Sequence, residues 1–423
     1  MYCNQCMHQL IFVILISIIV IGYIAGQWLS WLNIRHSRNP VPSILQGIYD
    51  NDKYARQQDY MKSNFRFDSI QTAFSTVGIL VLLFTGAFVW LDDILRGYFI
   101  NEIWLCAAFF AVLAFAADIA SIPFDAYDTF VIEKKYGFNK TSSKTFIFDR
   151  LKSWFLMAAM GGGLLLIITL VYMLAGEWFW LIAWAVFFVV SLLMNVFYSD
   201  LIVPLFNKQK PLDEGPLREA ISSFAASTGF SLKKIMVIDG SKRSTKANAY
   251  FAGFGSRKRV VLYDTLIEEM TTEEIVAVLA HEIGHYKKKH IITMLFISTF
   301  VTGLTLFLMS LLLKYPVFTQ ALGFENHSFH SGILIFGILF APVSAVLGII
   351  ANIISRRNEY EADAFAATHS CGEALISALK KLSSRNLSNL TPHPWYVFIN
   401  YSHPTLYQRI EKLNHINSEN ITI

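Results

Sequence analysis

Long apolar segments constrain this chain more than any other feature of its sequence. A helix needs about 20 consecutive apolar residues to cross the hydrocarbon core of a bilayer. Only 16% of the 423 residues are charged and 54% are hydrophobic, whereas a soluble domain carries about 25% charged residues. Seven stretches are long enough to cross: 10–29, 69–91, 103–124, 153–176, 178–199, 291–313 and 332–355. The sequence therefore predicts a mainly α-helical, polytopic membrane protein with seven transmembrane helices.

The basic residues are distributed unevenly among the loops. The loops after the first and third stretches carry Arg35, Arg38, Lys53, Arg56, Lys62, Arg66, Lys134, Lys135, Lys140, Lys144 and Arg150. The loop after the second stretch has only Arg96, and the loop after the sixth has only Lys314. Because loops rich in Lys and Arg stay in the cytoplasm, we predict an external N-terminus and cytoplasmic polar blocks. The C-terminal residues resemble no retrieval signal, which favours a bacterial cytoplasmic membrane, with the endoplasmic reticulum membrane as the alternative.

The polar segments indicate how the chain is divided. We predict an N-terminal membrane region at 1–199, polar blocks at 200–290 and 356–423, and two further spans at 291–355 between the blocks. The second block has a size at which a separate core is marginal, so both blocks are expected to form one small α+β domain. Residue patterns predict helices at 215–229, 372–382 and 402–413, and strands at 235–238, 248–254 and 260–263. The net charge of +4, without a basic run rich in aromatic residues, predicts no nucleic-acid partner.

The string HEIGH at 281–285 has the spacing of a metal site. On a helix, His281 and His285 share one face and can bind the same ion, while Glu282 can reach a water molecule bound to that ion. Thr271 and Glu274 form a capping box that predicts where this helix begins. Gly284 lowers helix stability by about 1 kcal/mol relative to Ala, which indicates a close approach at this position.

A catalytic zinc site needs a third protein ligand. The metzincin position is occupied by Ile291, and His290 is one residue short and off the face of the two histidines. Further along, Glu359 and Asp363 share a helix face, whereas Glu361 points roughly opposite. One of the two carboxylates can bind the metal while the other holds a ligand imidazole. The alternative is a solvated acidic face.

The two membrane stretches beside these motifs favour the metal interpretation. HEIGH is predicted to continue into the sixth stretch without a turn, and the seventh is predicted to continue into Glu359. At the helical rise, an antiparallel pair brings both motifs within about 10 Å of the bilayer edge. This placement suits a substrate attached to the membrane.

These motifs resemble the type I CaaX prenyl protease family, which consists of integral-membrane zinc metalloproteases. The resemblance covers nearly the whole chain and includes the seven stretches. Its motifs are PFD (123–125), EKKYGFNK (133–140), PLFNK (204–208), DGSKRS (239–244), NAYF (248–251), HEIGH, the string 359–363 and SHP (402–404).

The resemblance implies a gluzincin-like domain on the cytoplasmic side that holds one Zn²⁺ per chain. The implied zinc ligands are His281, His285 and Glu359, with Glu282 as general base and Asp363 holding a ligand. The implied substrate strand is Asn248, Ala249, Tyr250 and Phe251, which aligns a peptide by edge pairing. His403 is expected to stabilise the oxyanion, and Arg409 to pair with Asp363 or with the substrate. The expected substrates are prenylated or membrane-associated peptides, and the resemblance also implies a chamber within the membrane.

Two other functions fit parts of the sequence. A zinc protease for quality control of membrane proteins would use the same motif, but such enzymes typically have about four spans. A metal-regulated transporter is the second alternative, because the third stretch contains the acidic residue Asp118.

Overall fold

A computed structural model describes residues 2–230, 232, 234–252 and 259–421. Within them, six helices are long and apolar enough to cross a membrane: Gln5–His36, Asn51–Phe84, Glu102–Glu133, Ser143–Phe206, His290–Leu312 and Phe329–Thr368. The mainly helical, polytopic architecture is confirmed. The number of candidate spans differs from seven because the predicted fourth and fifth fall in one helical run of 64 residues.

The N-terminal half consists of helices. Those described are α1 (Tyr2–His36), α2 (Asn51–Phe84), α3 (Ala87–Arg96), α4 (Glu102–Tyr127), α5 (Ser143–Leu156), α6 (Gly163–Ala175), α7 (Phe179–Phe197) and α8 (Val203–Phe206). The long run is interrupted between α6 and α7, where Gly176 has a φ of +53° that favours glycine. Tyr172 and Phe179 pack edge to face across this break, with ring centroids 5.3 Å apart.

A four-stranded sheet follows the membrane helices. Its strands are β1 (Gln209–Pro211), β2 (Lys234–Ile238), β3 (Ala249–Ala252) and β4 (Arg259–Tyr263), in the order β1-β2-β4-β3. β2 and β4 are parallel, and the two outer strands are antiparallel to their neighbours. The short strand β1 was not predicted, and residues 253 and 254 of the predicted strand 248–254 lie outside the described residues. β3 occupies an edge of the sheet.

The remaining helices surround this sheet or continue the membrane region. They are α9 (Pro216–Ser227), α10 (Asp264–Glu269), α11 (Thr272–Lys287), α12 (His290–Leu312), α13 (Val317–Gln320), α14 (Phe329–Thr368), α15 (Gly372–Arg385), α16 (Pro394–Asn400) and α17 (Leu406–Ile421). The last helix begins later than the predicted residue 402. Thr405 caps it instead, since its hydroxyl accepts from the Gln408 amide at 3.3 Å and its own amide donates to the Gln408 side chain at 2.9 Å.

Helix α11 lies at the centre of the polar half. Leu279 and Ile283 pack into the core beneath the sheet, while Ala277 and Ala280 pack against buried residues of α14, α15 and α17. The predicted capping box of Thr271 and Glu274 is confirmed. The two polar blocks therefore share core residues through α11.

The predicted continuity between the HEIGH helix and the next span is wrong. Helix α11 ends at Lys287, and Lys289 adopts the left-handed conformation with a φ of 61° before α12 begins at His290. By contrast, α14 continues for 40 residues from the membrane through Glu359, as predicted.

Asp118, on which the transporter alternative depends, has partners within the protein. Its carboxylate accepts hydrogen bonds from Arg150 at 2.7 Å and from the indole of Trp154 at 2.6 Å. Charged residues within membrane helices are commonly paired in this way, so Asp118 by itself does not distinguish a transporter.

Candidate metal centre

Three of the predicted ligands converge at the contact between α11 and α14. One ligand atom from each of His281, His285 and Glu359 lies within 4.8 Å of the others. Glu359 Oε1 is 3.2 Å from His285 Nε2, and Glu359 Oε2 is 3.5 Å from His281 Nε2. The helix spacing of four residues and the continuous α14 produce this convergence.

Gly284 allows the two helices to approach closely. A Cβ atom at this position would lie 3.0 Å from both the Ala362 Cα and the Phe365 Cβ. Because these contacts are so short, any side chain larger than that of glycine would require the neighbouring residues to move. The prediction of close approach at Gly284 is confirmed.

The donor set fits a divalent cation such as zinc. Within the described residues, Glu359 Oε2 is buried without a hydrogen-bond partner, although buried carboxylate oxygens normally have one. The Nε2 atoms of His281 and His285 lie 3.2 Å apart beside it. Imidazole and carboxylate are the ligand types of gluzincin zinc sites. A cation between these atoms would satisfy all three.

Asp363 and Arg409 hold His281 in position. Asp363, which is fully buried, accepts from His281 Nδ1 at 2.7 Å. Its other hydrogen bonds come from Arg409 Nε and Nη2, at 2.8 and 2.6 Å. With Nδ1 directed at a carboxylate, the Nε2 lone pair of His281 faces the metal position.

The pKa of His281 reflects the negative charge in this pocket. Burial alone would lower it, but the hydrogen bond to Asp363 and the neighbouring Glu359 carboxylate outweigh burial and raise the pKa to about 9. The same potential favours a bound cation.

Glu282 is placed beside the ligands but does not join them. It lines a cavity of about 520 Å³ together with Tyr250, His285 and the membrane-helix residues Met294 and Ser298. Burial raises the pKa of the Glu282 carboxyl above its ordinary value. A carboxylate with a raised pKa is suited to accept a proton near neutral pH.

His403 also reaches the centre. Its Nε2 lies 3.4 Å from Glu359 Oε1, and 62% of its side chain is exposed. Arg409 Nη1 is 3.7 Å from Glu359 Oε2. Both residues predicted from the C-terminal motif therefore lie near the metal position, one exposed and one buried.

The predicted substrate strand borders the same cavity. Asn248 accepts the backbone N–H of Tyr263 at 3.1 Å, and hydrogen-bonded pairs alternate along an antiparallel ladder. The backbone groups of Ala249 and Phe251 therefore face the open edge of β3. The Asn248 side chain accepts the Ala249 amide at 2.9 Å, and Tyr250 lines the cavity.

His290 and Glu361, which were not predicted to belong to the site, also contact it or each other. His290 Nδ1 lies 3.0 Å from His285 Nδ1, and His290 Nε2 lies 3.2 Å from Glu361 Oε2. The interpretation of His290 as off the face assumed an unbroken helix. No sequence pattern around Lys289 indicated its left-handed conformation, which changes the direction of the chain before His290.

Membrane helices with a largely buried His-His-Glu cluster and an adjacent glutamate define an integral-membrane metalloprotease. Residues 30–208 match the family model described as CAAX prenyl protease N-terminal, five membrane helices, and residues 211–417 match that of peptidase family M48. The chain belongs to the CAAX prenyl protease 1 family and is a membrane zinc metalloprotease of the Ste24 type.

Relatives match over nearly their full length. The CAAX prenyl protease 1 homolog of Oryza sativa is 36% identical, over 92% of this chain and 95% of the rice protein. CAAX prenyl protease 1 of Saccharomyces cerevisiae is 32% identical, over 95% and 96%. The crystal structure of S. mikatae Ste24p aligns with a TM-score of 0.90 and 31% identity, and the alignment covers 96% of this chain and 99% of that one.

Proposed function

We propose that this chain is a gluzincin-type zinc endopeptidase that cleaves prenylated or membrane-associated peptides at the bilayer surface. The proposed ligands are His281, His285 and Glu359, with one Zn²⁺ per chain. The convergence of their ligand atoms within 4.8 Å, beside a cavity that contains Glu282, is the observation that carries this proposal.

The chemistry is divided among a few side chains. Zinc, when bound, supplies Lewis acidity that polarises a carbonyl oxygen and makes water a better nucleophile. Glu282 accepts the proton of the attacking water and delivers it to the leaving nitrogen. His403 donates a hydrogen bond from Nε2 to the developing oxyanion. Asp363 and Arg409 keep His281 oriented.

The substrate is proposed to bind along the open edge of β3. The outward backbone groups of Ala249 and Phe251 pair with an extended peptide, a mode that needs little side-chain specificity. The Asn248 side chain already accepts the hydrogen bond of the Ala249 amide. On substrate binding it either releases this amide or shares it with the peptide. Tyr250 then contacts the peptide from the cavity wall.

The position of the cavity supports a membrane-attached substrate. Ile291, Met294 and Leu295, which belong to the first turns of the candidate span α12, line it together with Glu282. A lipid-modified peptide can therefore reach Glu282 without leaving the bilayer surface.

We also propose seven crossings rather than six, with domain boundaries at 199, 290 and 355. The break at Gly176 and the family description of residues 30–208 support a turn between α6 and α7. The basic loops support a cytoplasmic active site. The plant and yeast relatives come from eukaryotes, which supports the endoplasmic reticulum membrane over a bacterial cytoplasmic membrane.

The test is cleavage of two fluorogenic peptides that share one sequence, one of them farnesylated near a C-terminal CaaX. Purified protein in detergent is assayed with and without a zinc chelator, alongside Glu282→Gln and the matched control Glu273→Gln on the exposed face of the same helix. We expect chelator-sensitive cleavage that favours the farnesylated peptide. Glu282→Gln should abolish cleavage while retaining zinc, and Glu273→Gln should not change it.

Other outcomes separate the alternatives. Equal cleavage of both peptides would support the quality-control protease. Cleavage of neither peptide by zinc-loaded protein would contradict the proposal, and undiminished cleavage by Glu282→Gln would remove the assigned general base.

A further inference from the structure

The two ligand histidines are held by different kinds of partner. The outer nitrogen of His281 meets a carboxylate, whereas the outer nitrogen of His285 meets another imidazole, His290, at 3.0 Å. His290 is 5% exposed, so this contact is shielded from solvent. Its other ring nitrogen contacts Glu361 at 3.2 Å.

A break in the backbone creates this contact. In a continuous helix, a residue five positions after His285 would lie about 140° around the axis and could not meet it. The left-handed Lys289 ends α11 and starts α12 in a new direction. His290, the first residue of α12, is thereby turned back towards His285.

The chain of contacts defines the tautomer of each ring. An ionised carboxylate only accepts hydrogen bonds, and a neutral imidazole has one donor and one acceptor nitrogen. Glu361 therefore requires that His290 donates from Nε2, which leaves His290 Nδ1 as an acceptor. His285 then donates from Nδ1, and its Nε2 lone pair points towards His281 and Glu359.

We infer that His290 and Glu361 are positioning residues for His285. They fix the tautomer and ring orientation in which His285 binds the metal, as Asp363 does for His281. Arg357 donates to the other oxygen of Glu361 at 3.1 Å, but it is 81% exposed and adds little. This inference rests on the proposed zinc site.

The experiment measures zinc affinity of the full-length protein by competition with chelators, without substrate. His290→Leu removes both ring nitrogens but retains a similar side-chain volume with an apolar group. His290→Asn keeps an acceptor close to the position of Nδ1. Glu361→Ala removes the carboxylate, and His415→Leu, an exposed histidine on α17, is the matched control.

We expect His290→Leu to lower zinc affinity by about 10- to 100-fold. His290→Asn should recover most of the lost affinity, and Glu361→Ala should fall between the two. His415→Leu should bind zinc like the wild type. With cobalt in place of zinc, the visible d–d absorption reports ligand geometry directly. Its change from the wild-type spectrum should be largest for His290→Leu, intermediate for Glu361→Ala and smallest for His290→Asn.

Two outcomes would overturn the inference. One is wild-type affinity in folded His290→Leu. The other is an equal loss in the Leu and Asn variants with a lowered melting temperature, which would assign His290 to packing at the helix junction. If the wild type itself binds no zinc, the proposed zinc site fails instead.

Discussion

Asp363 is a single carboxylate with two tasks. It accepts from His281 at 2.7 Å and forms two hydrogen bonds with Arg409, at 2.8 and 2.6 Å. Loss of its charge leaves the largely buried Arg409 without its main partner and His281 without a strong acceptor. Glu359 Oε2 lies 3.7 Å from Arg409 Nη1, but Glu359 faces the metal position and does not replace these bonds.

Asp363→Asn is therefore expected to lower zinc affinity by about 10- to 100-fold and to reduce the free energy of unfolding by about 3–5 kcal/mol. Chelator competition and thermal unfolding in detergent measure the two effects. Glu411→Gln, an exposed acid two residues after Arg409, is the control and should change neither quantity. Unaltered zinc binding by folded Asp363→Asn would show that His281 keeps its orientation without this partner.

At the residue scale, the sequence predicted the metal centre better than its surroundings. HEIGH identifies two candidate ligands because four residues return a helix to the same face, and the structure brings both beside Glu359. Glu359 and Asp363 were identified as a pair for the same reason, but the choice between them came from the family resemblance. The roles of His290 and Glu361 depend on the φ of Lys289, and a lysine gives no local indication of a left-handed conformation.

At the scale of elements, the contact between α11 and α14 determines the geometry of the centre. Gly284→Ala would place a Cβ atom 3.0 Å from Ala362 and Phe365, so the neighbouring helix must shift by a few tenths of an ångström. We expect a loss of about 1–3 kcal/mol in stability together with weaker zinc binding, because two of the proposed ligands lie on one helix and the third lies on the other.

The matched control for Gly284→Ala is Gly348→Ala on α14, where a Cβ atom would meet nothing within 4 Å. This control should be neutral or up to about 1 kcal/mol more stable. Thermal unfolding and chelator competition are measured for both variants. Equal behaviour of the two would refute the close-approach argument.

The start of α11 predicts a pH dependence of stability. Glu274 accepts from the Thr271 amide at 2.9 Å, from Ser377 at 2.6 Å and from Lys381 at 2.7 Å. Burial would raise its pKa, but these hydrogen bonds outweigh burial and lower the pKa from the ordinary value of 4.5. A carboxyl whose pKa is lowered by folding stabilises the folded state above the unfolded pKa. That contribution is lost as the pH falls towards the folded pKa.

Glu274→Gln should therefore be less stable than the wild type by about 1–3 kcal/mol at pH 7, and the difference should shrink as the pH falls below about 4.5. Urea unfolding of detergent-solubilised protein across this range measures it. Glu273→Gln removes a neighbouring charge from the same helix turn without the contacts to α15, and should have a smaller effect. A difference that stays constant with pH would contradict the ionic origin.

The elements themselves were predictable where their patterns were long. The membrane helices follow from apolar length, and the start of α11 follows from its capping box. β1 has three residues and ends in proline, so no alternation could reveal it. The last helix began later than predicted because Thr405 and Gln408 form a reciprocal cap after Pro404, although the Ser-His-Pro string resembles a helix start.

At the scale of the whole molecule, the number of crossings determines which face carries the metal centre. An odd number places the two ends of the chain on opposite sides of the membrane, and an even number places them on the same side. The sequence contains seven apolar stretches long enough to cross the membrane. The structure has six candidate helices within its described residues, because α5 to α8 form one continuous run. The proposal of seven crossings depends on the break at Gly176, where a turn would divide the run into two crossings.

Two single-cysteine proteins distinguish seven crossings from six. One keeps only Cys6, which is exposed near the start of α1, and the other carries only Lys412→Cys on the exposed face of α17. In sealed vesicles of known orientation, a membrane-impermeant maleimide should label the two from opposite sides, with Lys412→Cys reacting from the cytoplasmic side.

Labelling of both from one side would support six crossings. Labelling of Lys412→Cys from the external side would reverse the orientation derived from the basic loops. Retained zinc-dependent cleavage by both proteins is the control that the cysteine replacements leave the fold intact.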